Sequence, residues 1–163
     1  MSDIVLRADS LTKTYRLESG AHVHAVRGIS LELNRSQTLA IVGESGSGKS
    51  TLARMLVGLE KPDSGSVLRT SLVPMVFQDS LGSLHPRRRV SEIVVEPLMI
   101  RQKRIRPDST LRDRASELVK SVGLPEEYLE SYPHELSGGQ RQRVNIARAL
   151  SLEPSVILLD EPV

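Results

Sequence analysis

Residues 43–51 form a glycine-rich loop that ends in a lysine and two hydroxyl side chains. The loop consists of Gly43, Glu44, Ser45, Gly46, Ser47, Gly48, Lys49, Ser50 and Thr51, and it matches the pattern G-x-x-x-x-G-K-[ST]. Glycines here let backbone N–H groups turn inward around an anion, where a Cβ would block the approach or forbid the dihedrals. Lys49 supplies positive charge for β- and γ-phosphates, and the Ser50 hydroxyl is placed to bind Mg²⁺. The loop therefore predicts a nucleotide site.

The alternative is an ordinary glycine- and serine-rich turn. The flanking residues disfavour it, because the apolar run 38–42 predicts a strand before the loop and residues 52–57 predict a helix after it. Gly58 is a natural C-terminal cap, so we expect this helix to end there.

A second stretch that could bind an anion begins at Ser137. Ser137 and Gln140 fit a capping box that opens a helix. This structural explanation does not account for Gly138 and Gly139, because each glycine disfavours a helix by roughly 1 kcal/mol relative to alanine. Bare N–H groups at a positively polarised helix end favour an anion site instead.

Two carboxylates, Asp160 and Glu161, follow the apolar run 156–159. Such a run predicts a strand buried on both faces, and ligands bind at the C-terminal edge of open α/β sheets. The pattern resembles a Walker B strand, in which Asp160 would hold Mg²⁺ and Glu161 would polarise the attacking water. The alternative is a strand that ends in a charged turn.

The remaining elements predict a small antiparallel β layer and a helical insert. Residues 4–11 and 26–33 alternate apolar and polar side chains, as half-buried strands do. Tyr15 lies between these runs, where an ordinary strand aromatic is favoured over an adenine-stacking ring. Gln78 closes a predicted strand at 71–77 as either a solvated side chain or a metal ligand.

Residues 90–99 carry a helical apolar stripe that Pro97 should interrupt, and residues 111–122 predict a second amphipathic helix. Basic clusters at 87–89 and 101–106 flank the first of these segments. Solvated faces are a better explanation for them than contacts with nucleic acid or lipid headgroups.

The composition of the 163 residues fits one α/β domain, with 39% hydrophobic and 26% charged residues. The content of aromatic residues, 2%, disfavours a base-stacking surface for single-stranded nucleic acid. Zero cysteines exclude disulfides and thiolate metal sites, and no apolar run is long enough to cross a membrane.

Together these stretches resemble the nucleotide-binding subunits of ABC transporters, in which the sequence found here at 136–140 is the family signature. The resemblance implies a P-loop NTPase core with a parallel sheet, an N-terminal antiparallel β layer and a helical subdomain at about 79–135. It also implies ATP and Mg²⁺ as ligands, with Tyr15 stacking on adenine and Gln78 sensing both Mg²⁺ and the transporter. Residues 137–140 would contact the γ-phosphate bound by the opposite subunit of a head-to-tail dimer.

Within the superfamily, residues 75–87 and 132–143 look like the oligopeptide, dipeptide and nickel importer branch. This resemblance implies an ATPase on the cytoplasmic face of the cell membrane that drives import of peptides or related small solutes. Its partners would be permease subunits, a second ATP-binding subunit and, indirectly, an extracytoplasmic solute-binding protein. The solute stays open, as does the choice between a homodimer and a heterodimer.

Three departures from the family pattern accompany the resemblance. Ser36 and Gln37 stand where the family usually has Gly-Glu, and the connection 67–75 is short. The D-loop and the switch histidine of the family would follow Glu161, so the resemblance implies that the C-terminal part of the core is missing. We expect residues 1–163 alone to be poorly soluble or only partly folded, with ATPase activity indistinguishable from background. The histidines of the chain all precede that position: His22, His24, His85 and His134.

Two alternative functions remain at this stage. The chain could be a truncated module that binds nucleotide without turnover. It could also be a soluble ABC-type ATPase acting on nucleic acid or ribosomes, but only the arginine clusters support that function and we expect no nucleic-acid partner.

Overall fold

The computed structural model describes residues 3–77 and 82–160. The chain divides into two compact units, the first formed by residues 1–74 with 155–158 and the second by residues 75–154 with 159–163. Gln78 and Glu161 lie outside the described residues.

The first unit contains a three-stranded antiparallel sheet. Strands β1 (Ile4–Arg16), β2 (His22–Asn34) and β3 (Ser64–Arg69) lie in the order β2-β1-β3. The alternation of apolar and polar residues correctly predicted the first two strands, which extend beyond the predicted ranges. Val5 and Leu11 on β1 are buried and form the centre of the hydrophobic core of this unit.

Helix α1 (Lys49–Val57) follows the phosphate loop and packs into the same core. Leu52, Met55 and Leu56 are its buried apolar side chains in that core. Gly58 caps the helix with φ 87°, and its N–H donates to the Met55 carbonyl at 3.1 Å. The predicted helix and its end at Gly58 are therefore confirmed.

The predicted strand at 38–42 is not present as a strand. A β-strand is held by hydrogen bonds to a neighbouring strand. Within residues 3–77 and 82–160, no such ladder includes this run. Its side chains are consequently uncovered, and Val42 is 88% exposed.

The second unit contains the helices α2 (Val90–Val94), α3 (Glu96–Arg101), α4 (Ser109–Ser121) and α5 (Gly138–Leu150). Two 3-10 turns, Glu126–Glu130 and Pro133–Glu135, precede α5. The break between α2 and α3 confirms the predicted effect of Pro97, which lies in the first turn of α3. The predicted amphipathic helix at 111–122 is confirmed as α4.

The core of the second unit lies among these helices. Val90 and Ile93 of α2, Val119 of α4 and Val144 of α5 are all fully buried in one cluster. Asp108 caps α4, because its carboxylate accepts the Leu111 N–H at 3.0 Å.

Two short segments have the hydrogen bonds of parallel strands, β4 (Met75–Val76) and β5 (Leu158–Leu159). In the first unit the Leu158 N–H donates to the Pro74 carbonyl, and in the second the Asp160 N–H donates to the Val76 carbonyl, both at 3.0 Å. The predictions of strands at 71–77 and 156–159 were therefore too long. The prediction that 156–159 is buried on both faces was also wrong, because Leu159 is 46% exposed.

Across the two described ranges, no helix has the length and apolar character needed to cross a bilayer.

Candidate functional site

The phosphate loop lies in the first unit and has the backbone conformations that its glycines predict. Gly46 and Gly48 have φ values of 78° and 96°, in the left-handed region that side chains disfavour. A Cβ on Gly48 would lie 2.0 Å from the carbonyl oxygen of Ala25, which no packing adjustment of a side chain could relieve. Position 48 therefore requires glycine for two separate reasons.

Lys49 is the first residue of α1, and its ammonium group turns back into the loop. Its Nζ donates to the carbonyl oxygens of Gly43 and Glu44, both at 2.8 Å. A lysine ammonium has three N–H donors, so one donor is left for a phosphate oxygen. The first N–H groups of α1 have no carbonyl partner within the helix and carry the positive end of the helix dipole. The loop thus combines a fixed cation with unpaired backbone donors.

The hydroxyl residues Ser50 and Thr51 lie in the first turn of α1. Ser50 is exposed and Thr51 is half-buried. Glu44, Ser45, Gly46 and Ser47 are exposed along the loop, so a ligand can reach their backbone. Ser50 therefore offers a hard oxygen donor beside the place where the loop would hold phosphates.

Tyr15 lies near the end of β1 in the first unit and is half-buried. It pairs with Val23 of β2. The Nζ of Lys13 lies 5.7 Å from the centroid of the Tyr15 ring, within the range of a cation–π interaction. Sequence reasoning singled out Tyr15 but missed Lys13, although residues two apart on a strand share a face.

The signature residues open helix α5 in the second unit. Ser137 is its N-cap and accepts the Gln140 N–H at 3.3 Å, while the Gln140 side chain accepts the Ser137 N–H at 2.8 Å. The structure thus contains the capping box that the sequence predicts. Ser137, Gly138 and Gly139 are nevertheless exposed at the helix end, so the box leaves backbone donors accessible.

The chain itself does not require the two glycines of the signature. Neither Gly138 nor Gly139 has a positive φ. A Cβ on Gly139 would meet no described atom within 4 Å, and one on Gly138 would only touch Arg141 at 4.0 Å. Because neither conformation nor internal packing demands glycine here, the open surface itself is the property that these residues provide.

A pocket of about 320 Å³ adjoins the signature. Its lining residues are Gly123, Leu124, Pro125, Ser137, Gly139, Gln140 and Arg143. Arg143 fixes one wall by donating to the Gly123 carbonyl at 2.5 Å. Three of these residues, Ser137, Gly139 and Gln140, belong to the start of α5, so the N-terminal end of that helix lies at the pocket.

The role predicted for Asp160 as a metal ligand stays a prediction. Asp160 is half-buried and directly follows β5, and its own N–H donates to the Val76 carbonyl. The role predicted for Glu161 stays a prediction, as does that of Gln78, because both lie outside the described residues. No cluster of three or more His, Cys, Asp or Glu side chains suited to a metal occurs in the part of the chain that the structure describes.

A polar network joins Ser83 and Glu96 to helix α5 inside the second unit. Arg148 of α5 donates to the Ser83 carbonyl at 2.8 Å, and Ser83 donates to the side chain of Asn145 at 3.1 Å. Glu96 lies 3.9 Å from Arg148 and 2.7 Å from Arg88. Burial lowers the pKa of Arg148, and Glu96 opposes that effect. Sequence reasoning missed this network, because no local pattern indicates the contacts of Arg148 with Ser83 and Glu96, which are distant in sequence.

The predicted site residues are divided between the two units. Tyr15 and the loop 43–51 belong to the first unit, whereas residues 137–140 and Asp160 belong to the second.

The sequence and the fold match known proteins over most of the chain. The ABC transporter family model matches residues 26–163. The probable D,D-dipeptide transport ATP-binding protein DdpF of Escherichia coli is 51% identical over 144 residues, which is 86% of this chain and 46% of that protein. The di/tripeptide transport ATP-binding protein DppF of Pseudomonas aeruginosa is 41% identical, over 98% of this chain and 55% of that protein.

Solved structures agree with this match. The dimeric post-hydrolysis structure of the ATP-binding cassette MJ0796, bound to ADP and Pi, superposes with a TM-score of 0.85 at 31% identity. The alignment covers 97% of this chain and 74% of that one. The chain spans about half the length of the first curated relatives that it matches. The phosphate loop, the signature and these similarities over nearly the whole chain lead to one conclusion: the chain belongs to the ABC transporter family.

Proposed function

We propose that this chain forms the nucleotide-binding part of an ATPase that drives transport of peptides or related small solutes through a membrane permease. The phosphate loop carries the proposal. Its left-handed Gly46 and Gly48 and the Lys49 ammonium bound to two loop carbonyls form a site for a polyphosphate at the start of α1. In this function Lys49 and the loop N–H groups bind the β- and γ-phosphates of ATP, and Tyr15 stacks on the adenine.

Mg²⁺ is the metal in this proposal. Its proposed ligands Ser50, Asp160 and Gln78 each carry a side-chain oxygen of the kind that Mg²⁺ binds. Mg²⁺ is commonly bound by one or two protein oxygens together with phosphates and water, so a cluster of several carboxylates is not needed. When bound, Mg²⁺ neutralises charge that develops on the phosphates.

Hydrolysis requires a group that positions and polarises water, and Glu161 is the proposed general base. Gln78 is proposed to sense the metal and the permease. The exposed backbone at Ser137, Gly138 and Gly139 supports a further role, contact with the γ-phosphate of a second subunit. The dimeric state of the structural relative supports the formation of a dimer, and the proposed arrangement of its two subunits is head-to-tail.

Relatives favour peptides as the transported solute. DdpF and DppF are both described as peptide-transport proteins. Two further relatives, each 40% identical, are both named SapF. One, from Escherichia coli strain K12, is described as a putrescine export protein, and the other, from a second Escherichia coli strain, as a peptide transport protein. Peptides are thus the favoured solute among a wider set. In this proposal the chain works at the cytoplasmic face of the membrane, and an extracytoplasmic binding protein delivers the solute to the permease.

Nucleotide binding is tested by titrating ATP into the purified chain and its Lys49→Ala variant. Loss of hydrogen bonds to a charged phosphate should weaken binding roughly 10- to 100-fold. Lys120→Ala is the matched control, because it also removes a lysine. Lys120 is exposed and pairs with Glu126, and both residues belong to the second unit, whereas the phosphate loop belongs to the first. Equal affinities for Lys49→Ala and the wild type would refute the phosphate-site assignment.

Transport is tested in cells that carry the gene together with genes for the permease subunits of a peptide importer. Uptake of a labelled dipeptide should require the wild-type gene and should be lost in Glu161→Gln, which keeps the shape of the side chain but not its base. Movement of a labelled polyamine but not of the dipeptide would contradict peptides as the solute while leaving the ATPase assignment intact.

A further inference from the structure

An ion cluster fixes the end of β1 that carries Tyr15. The Lys13 ammonium lies 3.0 Å from Glu60 and 3.3 Å from Asp63, and it donates to the Lys61 carbonyl at 2.8 Å. Only 15% of the Lys13 side chain is exposed. Three partners from one loop therefore converge on a single, largely covered lysine.

Asp63 ties the same loop to the backbone of β1. Its carboxylate accepts the Thr14 N–H at 2.7 Å, and its own N–H donates to the Thr12 carbonyl at 2.9 Å. The Thr12 and Ser64 hydroxyls bond at 2.7 Å next to it. Asp63 thus binds the residues on both sides of Lys13, immediately before Tyr15.

The loop is also tied to the helix that begins at the phosphate site. The N–H groups of Leu59 and Glu60 both donate to the Arg54 carbonyl in the last turn of α1, at 2.9 and 3.2 Å. Helix α1 starts at Lys49 and ends one residue before Gly58. A continuous set of bonds therefore runs from the phosphate loop along α1, through residues 58–63, to the strand end at Tyr15.

Lys13 also contacts the Tyr15 ring, from 5.7 Å. The hydrogen bond to Glu60 raises the pKa of Lys13, and the Thr14 N–H lowers the pKa of Asp63. Both groups hence stay charged at neutral pH, and the cluster keeps its geometry there.

We propose that Lys13 and Asp63 are positioning residues for the nucleotide base, which set the distance between the Tyr15 ring and the phosphate loop. The proposal rests on the proposed function, in which Tyr15 stacks on adenine and Lys49 binds phosphate. It adds that the base-dependent share of the affinity depends on the cluster, whereas the phosphate-dependent share does not.

The competing explanation is that the cluster is only a surface ion pair, of the kind that contributes little. The chain offers such a pair as a control. Arg35 and Asp3 lie 2.7 Å apart at the other end of the β1–β2 ladder, and both are more than half exposed. Arg35→Ala removes an ion pair on the same sheet without touching the end that carries Tyr15.

The experiment measures the affinities of ATP and inorganic tripolyphosphate, which has the phosphates without the base. Tyr15→Ala should lower ATP affinity about tenfold, as loss of a base-stacking ring does, and leave tripolyphosphate unchanged. Lys13→Met should lower ATP affinity alone by a smaller factor, roughly threefold. Asp63→Asn keeps an oxygen for the Thr14 N–H and should have the same selectivity, so it serves if Lys13→Met does not fold.

The double variant Lys13→Met/Tyr15→Ala decides whether Lys13 acts through the ring. The ratio of ATP to tripolyphosphate affinity should then equal that of Tyr15→Ala alone, because residues that act as a unit are not additive. The proposal would be overturned if Lys13→Met lowered the affinities for ATP and tripolyphosphate equally. It would also be overturned if Arg35→Ala changed the ratio of the two affinities as much as Lys13→Met does. An unchanged ratio in Lys13→Met and Asp63→Asn while Tyr15→Ala lowers it would overturn it too, and this outcome would leave Tyr15 as the base platform. If neither ligand binds the wild type, the proposed function fails first.

Discussion

The two glycine-rich stretches of this protein differ in whether the fold itself requires their glycines. In the phosphate loop, Gly48 has a left-handed backbone and a Cβ there would lie 2.0 Å from the Ala25 oxygen. In the signature, Gly139 has neither constraint. The first glycine is needed by the fold of its own unit, whereas the second keeps a helix end open. A glycine that its own chain does not need indicates that the constraint comes from something that binds.

The largest expected effect is that of Gly48→Ala. The added Cβ meets a backbone oxygen, and the alanine backbone must also adopt a strained φ. We therefore expect a loss of at least about 2 kcal/mol in the free energy of unfolding. ATP binding should be lost as well. Chemical denaturation and an ATP titration measure both. Gly46→Ala is the control, since its φ is also positive but a Cβ there meets no atom within 4 Å, and it should cost only about 1 kcal/mol.

Next in size is Ser137→Ala, which breaks the capping box of α5. Loss of an N-cap hydroxyl should destabilise the second unit by about 1 kcal/mol. Ser137→Asp can still accept the Gln140 N–H and should restore most of the stability. Thermal melts of the three proteins compare them, and an unchanged midpoint in Ser137→Ala would show that the box contributes nothing.

Gly139→Ala should have the opposite sign. Alanine favours a helix over glycine, so we expect a gain of roughly 0.5–1 kcal/mol in stability and an unchanged affinity of the chain for ATP. In the proposed dimer the same change should weaken ATP-dependent association, seen by light scattering with and without ATP. Destabilisation by Gly139→Ala would break the contrast between the two stretches.

The smallest expected effect concerns acid. The Leu111 N–H lowers the pKa of the Asp108 cap below its ordinary value of 3.8. A lowered pKa in the folded state means that the contribution is present above 3.8 and disappears as the pH falls through the lower folded value. The melting temperature of Asp108→Asn should therefore fall less than that of the wild type between pH 5 and pH 2. Parallel curves would show that this cap does not contribute to acid sensitivity.

Local patterns predicted those parts of the fold that depend on neighbouring residues. The end of α1 at Gly58, the break at Pro97 and the capping box at Ser137 each follow from conformational preferences within a few positions. The run 38–42 was predicted as a strand and is not one, and 156–159 was predicted as a longer strand than β5. Apolar composition does not reveal which segment supplies the hydrogen bonds.

The same limit applies to the site. The glycine spacing of the phosphate loop predicted left-handed backbone, which the structure has at Gly46 and Gly48. The roles of its individual residues stay predictions. The cluster around Lys13 could not be predicted, since Glu60 and Asp63 reach it from about 50 residues away and nothing in their local sequence indicates that contact. The network of Arg148, Glu96 and Ser83 was hidden for the same reason.

The connectivity of the first unit has a consequence for the order of folding. Val156 belongs to the same core as Val5 and Met55, and the Ser155 N–H donates to the Ser71 hydroxyl at 3.3 Å. The second unit, in contrast, is nearly continuous in sequence. Closing a loop of about 80 residues costs on the order of 4 kcal/mol in chain entropy. On a ribosome, synthesis of the first unit therefore begins before that of the second. The first unit completes its core only after nearly all of the second unit has been synthesised.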